Sequence, residues 1–353
     1  MACSVQPSIH STSSTTKPSS SEITISRSLT EDFVHISIQP SQDEKRSSCN
    51  TCCVVDTSGS MSDAAEIQND KNENSGNTNL WDDLRTGLKH LSKQQDSIKS
   101  ISALFLLTDG CPTKIPSDGH LVSLEKLKKN LNFLCAINTF GFGYILDSKL
   151  LEDIAMLGNS GSYAFIPDGS FVGTIFVNAI STLLTTAATN LLIHDQDVQN
   201  SDYTRWYSTH KTKEGTYIDL GSITYGQSKD LLIPISSKFI KECRFTLIYQ
   251  NAKNIKKSIN FDLMNDLQQA NLNLIIRHKM RLEFVHYVRT ALENMKSIKT
   301  NPEHSEKQRD QVMNELQEFK ENMKLIANKN GDFIKDLLAD LTGQVQEAIG
   351  KQE

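Results

Sequence analysis

The run Ala103-Leu104-Phe105-Leu106-Leu107, which is followed by Thr108-Asp109-Gly110, decides the fold class of this chain. A strand with one covered face alternates apolar and polar side chains, whereas this run is apolar throughout and predicts cover on both faces. Further apolar runs at residues 52–55, 133–140 and 162–166 alternate with stretches of helical periodicity. The sequence therefore predicts an α/β domain built on a parallel sheet.

The segments around these runs predict a division of the chain into four regions. Residues 1–30 are rich in serine and threonine, and we expect a disordered tail. The α/β domain is predicted to span residues 50–193. Alternating residues 33–40 and the short strand patterns of residues 195–261 together predict a small β-sandwich. Helical periodicity over residues 262–350 predicts a helical region.

Composition and charge exclude several classes of protein. The 353 residues carry a formal charge of −5, without a basic block among aromatic residues, so no nucleic-acid partner is expected. Seven cysteines form an odd, sparse set, which favours a reduced cytoplasmic compartment, as does an N-terminus without signal-peptide character. Cys49, Cys52 and Cys53 have no second pair at zinc-finger spacing and are expected to pack in the core.

Residues 169–193 carry no charge and are long enough to cross a membrane. Polar residues recur in them every three or four positions, opposite an apolar stripe. The stripe consists of Val172, Phe176, Ala179, Leu183 and Ala187. This pattern predicts an amphipathic helix of the core, and no membrane partner is expected.

Oxygen-bearing side chains gather where the first two buried runs end. Asp56, Ser58 and Ser60 follow the first run, and Asp109 follows the second. Thr78 lies just before a helical pattern that begins near residue 80. Ligands of open α/β sheets bind at the carboxyl ends of the strands, where these residues converge. Carboxylates and hydroxyls suit a hard divalent cation with a coordination position left for an outside oxygen.

These five positions resemble the metal-ion-dependent adhesion site of von Willebrand factor A domains. The resemblance rests on D-x-S-x-S at residues 56–60, the threonine at 78 and the aspartate of Leu107-Thr108-Asp109-Gly110. It implies a Rossmann-like parallel sheet and Mg²⁺, or Mn²⁺ or Ca²⁺, as cofactor. Residues 138–168 are similar to largely uncharacterised protist and fungal members of that family.

The resemblance also implies a role for each position. Ser58 and Ser60 would bind the metal through their hydroxyls, Thr78 directly or through water, and Asp56 and Asp109 mainly through bridging waters. The sixth ligand in that family is typically a carboxylate of the bound partner. The implied function is metal-dependent binding of a protein partner with an exposed carboxylate, and not enzymatic activity.

The chain departs from the family pattern between Ser60 and Thr78. A helix, two strands and another helix normally intervene, yet only the mostly polar residues 61–77 are present here. The family's sheet order, 3-2-1-4-5-6, would become 1-4-5-6. We therefore expect a truncated sheet in which the two metal-bearing strands remain neighbours and the first strand is an edge.

Two functions remain open at this point. In the first, the metal site binds an acidic group of a partner protein. In the second, the metal site is vestigial, the protein is a scaffold, and the C-terminal helices make the contacts. An aspartyl phosphatase would need a second carboxylate at position 58, which is serine. His278 and His286 lie too far apart on one predicted helix to share a metal directly, and the sequence gives no oligomeric state.

Overall fold

The computed structural model describes eleven segments of the chain, and every structural statement concerns these segments. They are residues 22–42, 46–56, 78–94, 100–109, 111–144, 146–196, 205–234, 244–262, 267–300, 305–330 and 332–342. They form a mixed α/β structure with one parallel sheet, two largely antiparallel sheets and a group of C-terminal helices. The predicted fold class is thereby confirmed, whereas the division into domains stays a prediction.

The parallel sheet contains four strands in the order β3-β4-β5-β6. These strands are β3 (Cys49–Val55), β4 (Ile101–Thr108), β5 (Ala136–Phe142) and β6 (Tyr163–Ile166). Every residue of β4 is buried, as the apolar run predicts. Within the described residues β3 pairs with β4 alone, so the expected order and the expected edge strand are both present.

Helices cover both faces of this sheet, which explains why β4 shows no alternation. Leu104 and Leu106 pack with α1 (Leu80–Gln94), α2 (His120–Leu131) and α3 (Ser148–Leu157). Phe105 and Leu107 point to the other face, where α4 (Val172–Leu184) packs. The apolar stripe predicted for residues 172–183 faces this second layer.

The helix predicted to run to residue 193 is too long. It ends at Leu184, and β7 (Thr186–Asp195) begins two residues later. The hydroxyls of Thr185 and Thr186 donate to the carbonyls of Ser181 and Thr182 in the last turn of the helix, where the ladder of backbone hydrogen bonds ends. Ala187, which was predicted to continue the helical stripe, lies instead in the core of the β-sandwich.

The β-sandwich consists of two sheets, in the orders β10-β2-β1-β13 and β12-β11-β7-β9-β8. The strands not yet named are β1 (Ile23–Leu29), β2 (Phe33–Pro40), β8 (Thr209–Thr212), β9 (Gly215–Thr224), β10 (Lys229–Pro234), β11 (Arg244–Asn251), β12 (Lys256–Asp262) and β13 (Leu267–Gln268). Val34, Ile36 and Ile38 point into one core with Ile193 and Leu247 of the facing sheet.

Strand β1 corrects the prediction of a disordered tail over residues 1–30. Ile23 is buried, and Ile25 and Leu29 pack against the sandwich core. The strand pairs along its whole length with β2. Its apolar residues at alternate positions provide the hydrophobic burial that the Ser/Thr-rich composition obscures. Residues 1–21 of the predicted tail lie outside the described residues.

The C-terminal region contains α5 (Leu272–Thr300), α6 (Ser305–Asn330) and α7 (Asp332–Asp340). They share an apolar core, to which α5 contributes Met280, α6 contributes Phe319 and α7 contributes Ile334. Helix α5 also lies against the sandwich, where the Lys279 ammonium stands 5.1 Å from the ring centroid of Phe33. Among the described residues, no helix combines the length and the hydropathy that crossing a bilayer requires.

Candidate functional site

Two parallel strands bring Asp56 and Asp109 to the same edge of the sheet. Val55 is the register partner of Leu107, and each aspartate follows within two residues of that pair. The backbone N–H of Asp56 donates to the Leu107 carbonyl at 2.8 Å, which extends the pairing by one residue. Neighbouring strands lie about 4.8 Å apart, so the strand ends place both residues in one small region.

The carboxylate of Asp56 is buried and held from the neighbouring strand. Its Oδ2 atom accepts a hydrogen bond of 2.8 Å from the hydroxyl of Thr108, a residue with no solvent exposure. A hydrogen bond to a charged acceptor is stronger than one between neutral groups. Thr108 therefore fixes the orientation of this carboxylate at the strand end.

The carboxylate of Asp109 is also buried, but its Oδ1 atom has no hydrogen-bond partner among the described residues. A buried charged oxygen without a partner is unfavourable by several kcal/mol in an apolar setting. Binding of a cation or of cation-bound water would satisfy it. Buried carboxylate oxygens at a strand end fit the ligand preference of Mg²⁺, Mn²⁺ and Ca²⁺.

Thr78 is buried and joined to the loop that follows Asp109. Its carbonyl accepts hydrogen bonds from the backbone N–H groups of Thr113, at 3.0 Å, and Lys114, at 3.3 Å. It also accepts one from the Thr113 hydroxyl at 3.2 Å. Three of the five predicted positions thus belong to loops at one edge. The other two, Ser58 and Ser60, lie outside the described residues, and the five-residue metal site stays a prediction.

Asp83, in the first turn of α1, adds a further carboxylate near this edge. Partial burial raises the pKa of Asp83, and the negative charges of Asp56 and Asp82 raise it further. Asp82 itself is neutralised locally, because its carboxylate contacts the amide of Asn79 at 2.5 Å and the guanidinium of Arg85 at 2.7 Å. The carboxylates of Asp56 and Asp83 are therefore close enough for their negative charges to repel each other.

Comparisons with known proteins give structural neighbours only. No family model and no curated protein matches the chain. A von Willebrand factor type A protein from Catenulispora acidiphila has 12% identity and a TM-score of 0.47, and the match covers 80% of this chain and 84% of that one. Likeness at this level carries no argument about function, and the fold described above rests on its own strand order.

Two larger proteins show weaker likeness. The human COPII-coat protein Sec24c has 10% identity and a TM-score of 0.37 over 59% of this chain and 33% of its own. The pilus adhesin SpaC from Lactobacillus rhamnosus GG, in its open conformation, has 11% identity and a TM-score of 0.30. That match covers 67% of this chain and 46% of the adhesin chain. The chain thus spans about a third and about half of these two proteins.

Two residues of this region were not identified from the sequence. Thr108 stands beside a predicted ligand, but its hydroxyl becomes informative only when the strand pairing directs it at Asp56. Asp83 reads in sequence as an ordinary acidic residue of a helix's first turn, where the helix dipole favours negative charge. The folded structure is needed to show that the negative charge of Asp56 also raises the pKa of Asp83.

Proposed function

We propose that this protein is a metal-dependent protein-binding module and not an enzyme. Asp56, Ser58, Ser60, Thr78 and Asp109 would hold Mg²⁺, or Mn²⁺ or Ca²⁺, at the carboxyl edge of the parallel sheet. A coordination position left open would accept a carboxylate of the partner. One observation carries the proposal. The buried Oδ1 of Asp109, which has no hydrogen-bond partner within the described segments, lies at the same strand ends as the buried carboxylate of Asp56.

Calorimetric titration of the purified chain with Mg²⁺ and Mn²⁺ tests the first part of this proposal. The wild-type chain should bind one ion at the site, and Asp109→Asn should weaken binding at least tenfold, or about 1.4 kcal/mol. Asp153→Asn is the matched control, because it removes the same charge from an exposed Lys149 pair on α3. Equal heats from wild type and Asp109→Asn would refute the site.

The open coordination position is tested with a carboxylate as probe. Mn²⁺ bound with an exchangeable water enhances the relaxation of solvent protons, and a carboxylate that displaces this water should lower the enhancement. Acetate and a glutamate-containing peptide should both do so in the Mn²⁺-loaded wild type. Enhancement that neither probe changes would contradict partner binding through the metal.

A scaffold that binds through its C-terminal helices is the second candidate. Val285 of α5 and Leu325 of α6 expose large parts of their apolar side chains, at 45% and 66%. Partner binding that survives EDTA but is lost in a Val285→Lys, Leu325→Lys variant would favour this function over the first.

A further inference from the structure

A second group of metal-ligating side chains lies away from the sheet edge, between the sandwich and the C-terminal helices. His35 belongs to β2, Asp230 to β10 and His278 to α5. One ligand atom from each lies within 4.8 Å of the other two. The side chains of His35 and Asp230 are 9% and 8% exposed, and that of His278 is 26% exposed.

The strand pairing explains how two of these residues meet. Strand β2 alternates, so His35 and Ser37 point away from the core that receives Val34, Ile36 and Ile38. On β10, Asp230 is the register partner of Ser37, and Leu232 is that of His35. His35 and Asp230 are therefore diagonal neighbours on the outer face of this sheet.

Helix α5 covers this face and supplies the third side chain. The His278 and His35 rings stack with centroids 5.7 Å apart and an interplanar angle of 25°. Two further contacts hold the helix in place: Lys279 lies over the ring of Phe33, and Arg205 forms an ion pair with Glu283 of the helix. The position of His278 is thus fixed by the docking of α5.

The Asp230 carboxylate lies within 3.5 Å of both imidazoles, with a different oxygen directed at each. Nε2 of His35 is 3.0 Å from Oδ1 of Asp230, and Nε2 of His278 is 3.5 Å from Oδ2. Tetrahedral zinc with bonds of about 2.0–2.1 Å places its ligand atoms about 3.3 Å from one another. Nε2 of His278 is buried and makes no hydrogen bond among the described residues. An ion between these atoms would satisfy it.

Neighbouring hydroxyls orient the ligands. Nδ1 of His35 lies 3.4 Å from the buried hydroxyl of Ser28, which leaves Nε2 directed at Asp230. The Ser228 hydroxyl donates to Oδ2 of Asp230 at 2.7 Å. Partners of this kind fix ring orientation and strengthen ligands in metal sites.

We propose that His35, Asp230 and His278 form a binding site for a transition-metal ion, Zn²⁺ in the first instance, that fastens α5 to the β-sandwich. Two imidazole nitrogens and one carboxylate oxygen match Zn²⁺ better than Mg²⁺, which takes oxygen ligands. Three protein ligands leave the fourth tetrahedral position to water. Arg281, whose positive charge acts on His278, opposes the cation and should weaken its binding.

The surroundings of Asp230 and His278 shift the pKa values of both side chains. Burial raises the pKa of Asp230, but hydrogen bonds from His35, Ser37 and Ser228 and the nearby His278 outweigh it and lower the pKa to about 2. Burial lowers the pKa of His278.

The test is titration of the metal-stripped full chain with Co²⁺ and then Zn²⁺, in excess Mg²⁺ so that the sheet edge is not the site observed. Tetrahedral Co²⁺ absorbs visible light strongly, and Zn²⁺ should abolish the band as it displaces Co²⁺. We expect one equivalent of Co²⁺ and a Zn²⁺-dependent rise in Tm, since an ion that binds only the folded chain stabilises it.

Variants assign the ligands. His278→Gln should weaken Co²⁺ binding at least tenfold and abolish the rise in Tm. His286→Gln, on the same helix, and Asp153→Asn, on α3, should both bind Co²⁺ as the wild type does. The absence of a tetrahedral Co²⁺ band in the wild type would overturn the proposal whether or not any variant folds. Unchanged binding by His278→Gln would also overturn it.

Discussion

Replacing Thr108 by valine tests whether the neighbouring strand holds the Asp56 carboxylate in place. Valine has almost the shape of threonine and suits a strand, so the change removes the hydroxyl and little else. In the wild type this hydroxyl donates to Oδ2 of Asp56 at 2.8 Å, and both residues are buried. The variant therefore takes one charge-assisted hydrogen bond from a buried carboxylate.

The expected loss of stability is about 2 kcal/mol, because hydrogen bonds to charged groups contribute about 1.5–3 kcal/mol. Thr139→Val is the matched control. Thr139 of the next strand, β5, is equally buried, and its hydroxyl donates to the neutral carbonyl of Leu151 at 2.9 Å. A neutral bond contributes about 1 kcal/mol, so the two variants should differ by about 1 kcal/mol.

Urea unfolding followed by Trp81 fluorescence measures these changes, since Trp81 packs against the core of the parallel sheet. Trp206→Phe serves as the background, so that Trp81 alone reports. Mg²⁺ titration of the same variants should show about tenfold to a hundredfold weaker binding for Thr108→Val, as for other residues that orient a metal ligand. Equal stability losses and equal Mg²⁺ affinities in the two variants would refute this account of Thr108.

Three further predictions concern the parallel-sheet region. Asp83→Asn should raise Tm in EDTA at pH 7 and weaken Mg²⁺ binding. Because the pKa of Asp83 is raised in the folded state, its charged form destabilises that state. This destabilisation disappears as the pH falls through the folded-state pKa of Asp83. Burial raises the pKa of Cys135 to about 12, so this thiol should resist alkylation at pH 8 until denaturant is added. The exposed Cys111 should react under the same conditions, and peptide mapping distinguishes the two. Gly161→Ala should lower the free energy of unfolding by about 1–3 kcal/mol or more, because the added Cβ would lie 2.0 Å from the Ile137 carbonyl oxygen. Gly173→Ala is the control and should be tolerated, since a Cβ at that position meets open space.

The sequence predicts the parallel sheet well because its signal is local. The run at residues 103–107 is apolar at every position, and the buried strand β4 contains it. The helix end near residue 184 is harder, because residues 169–193 stay uncharged across the boundary. The apolar residues that repeat at helical spacing continue into a strand, and the hydroxyl contacts of Thr185 and Thr186, which mark the helix end, appear only in the structure.

The two metal-binding candidates differ in how visible they are from sequence. The first has a recognisable local spacing at residues 56–60, although two of its ligands lie outside the described residues. The second has none, because His35 and Asp230 are 195 positions apart and meet only through the pairing of β2 with β10. From the sequence, the candidate companion ligand for His278 is His286 on the same helix, whereas the structure brings His278 close to His35 and Asp230 of the sandwich.

Three candidate ligands, Asp56, Thr78 and Asp109, are held at the carboxyl ends of the strands by contacts within the described residues. Asp56 and Asp109 depend on the β3–β4 pair alone, and Thr78 depends on its contacts with Thr113 and Lys114. Among the described residues, none of these contacts involves a strand beyond β3. A sheet that ends at β3 can therefore hold these three residues, and what it exposes is the backbone along the outer side of β3. On this outer side of β3, Val55 is 43% exposed. The backbone there offers a place for a β-strand of another chain to pair.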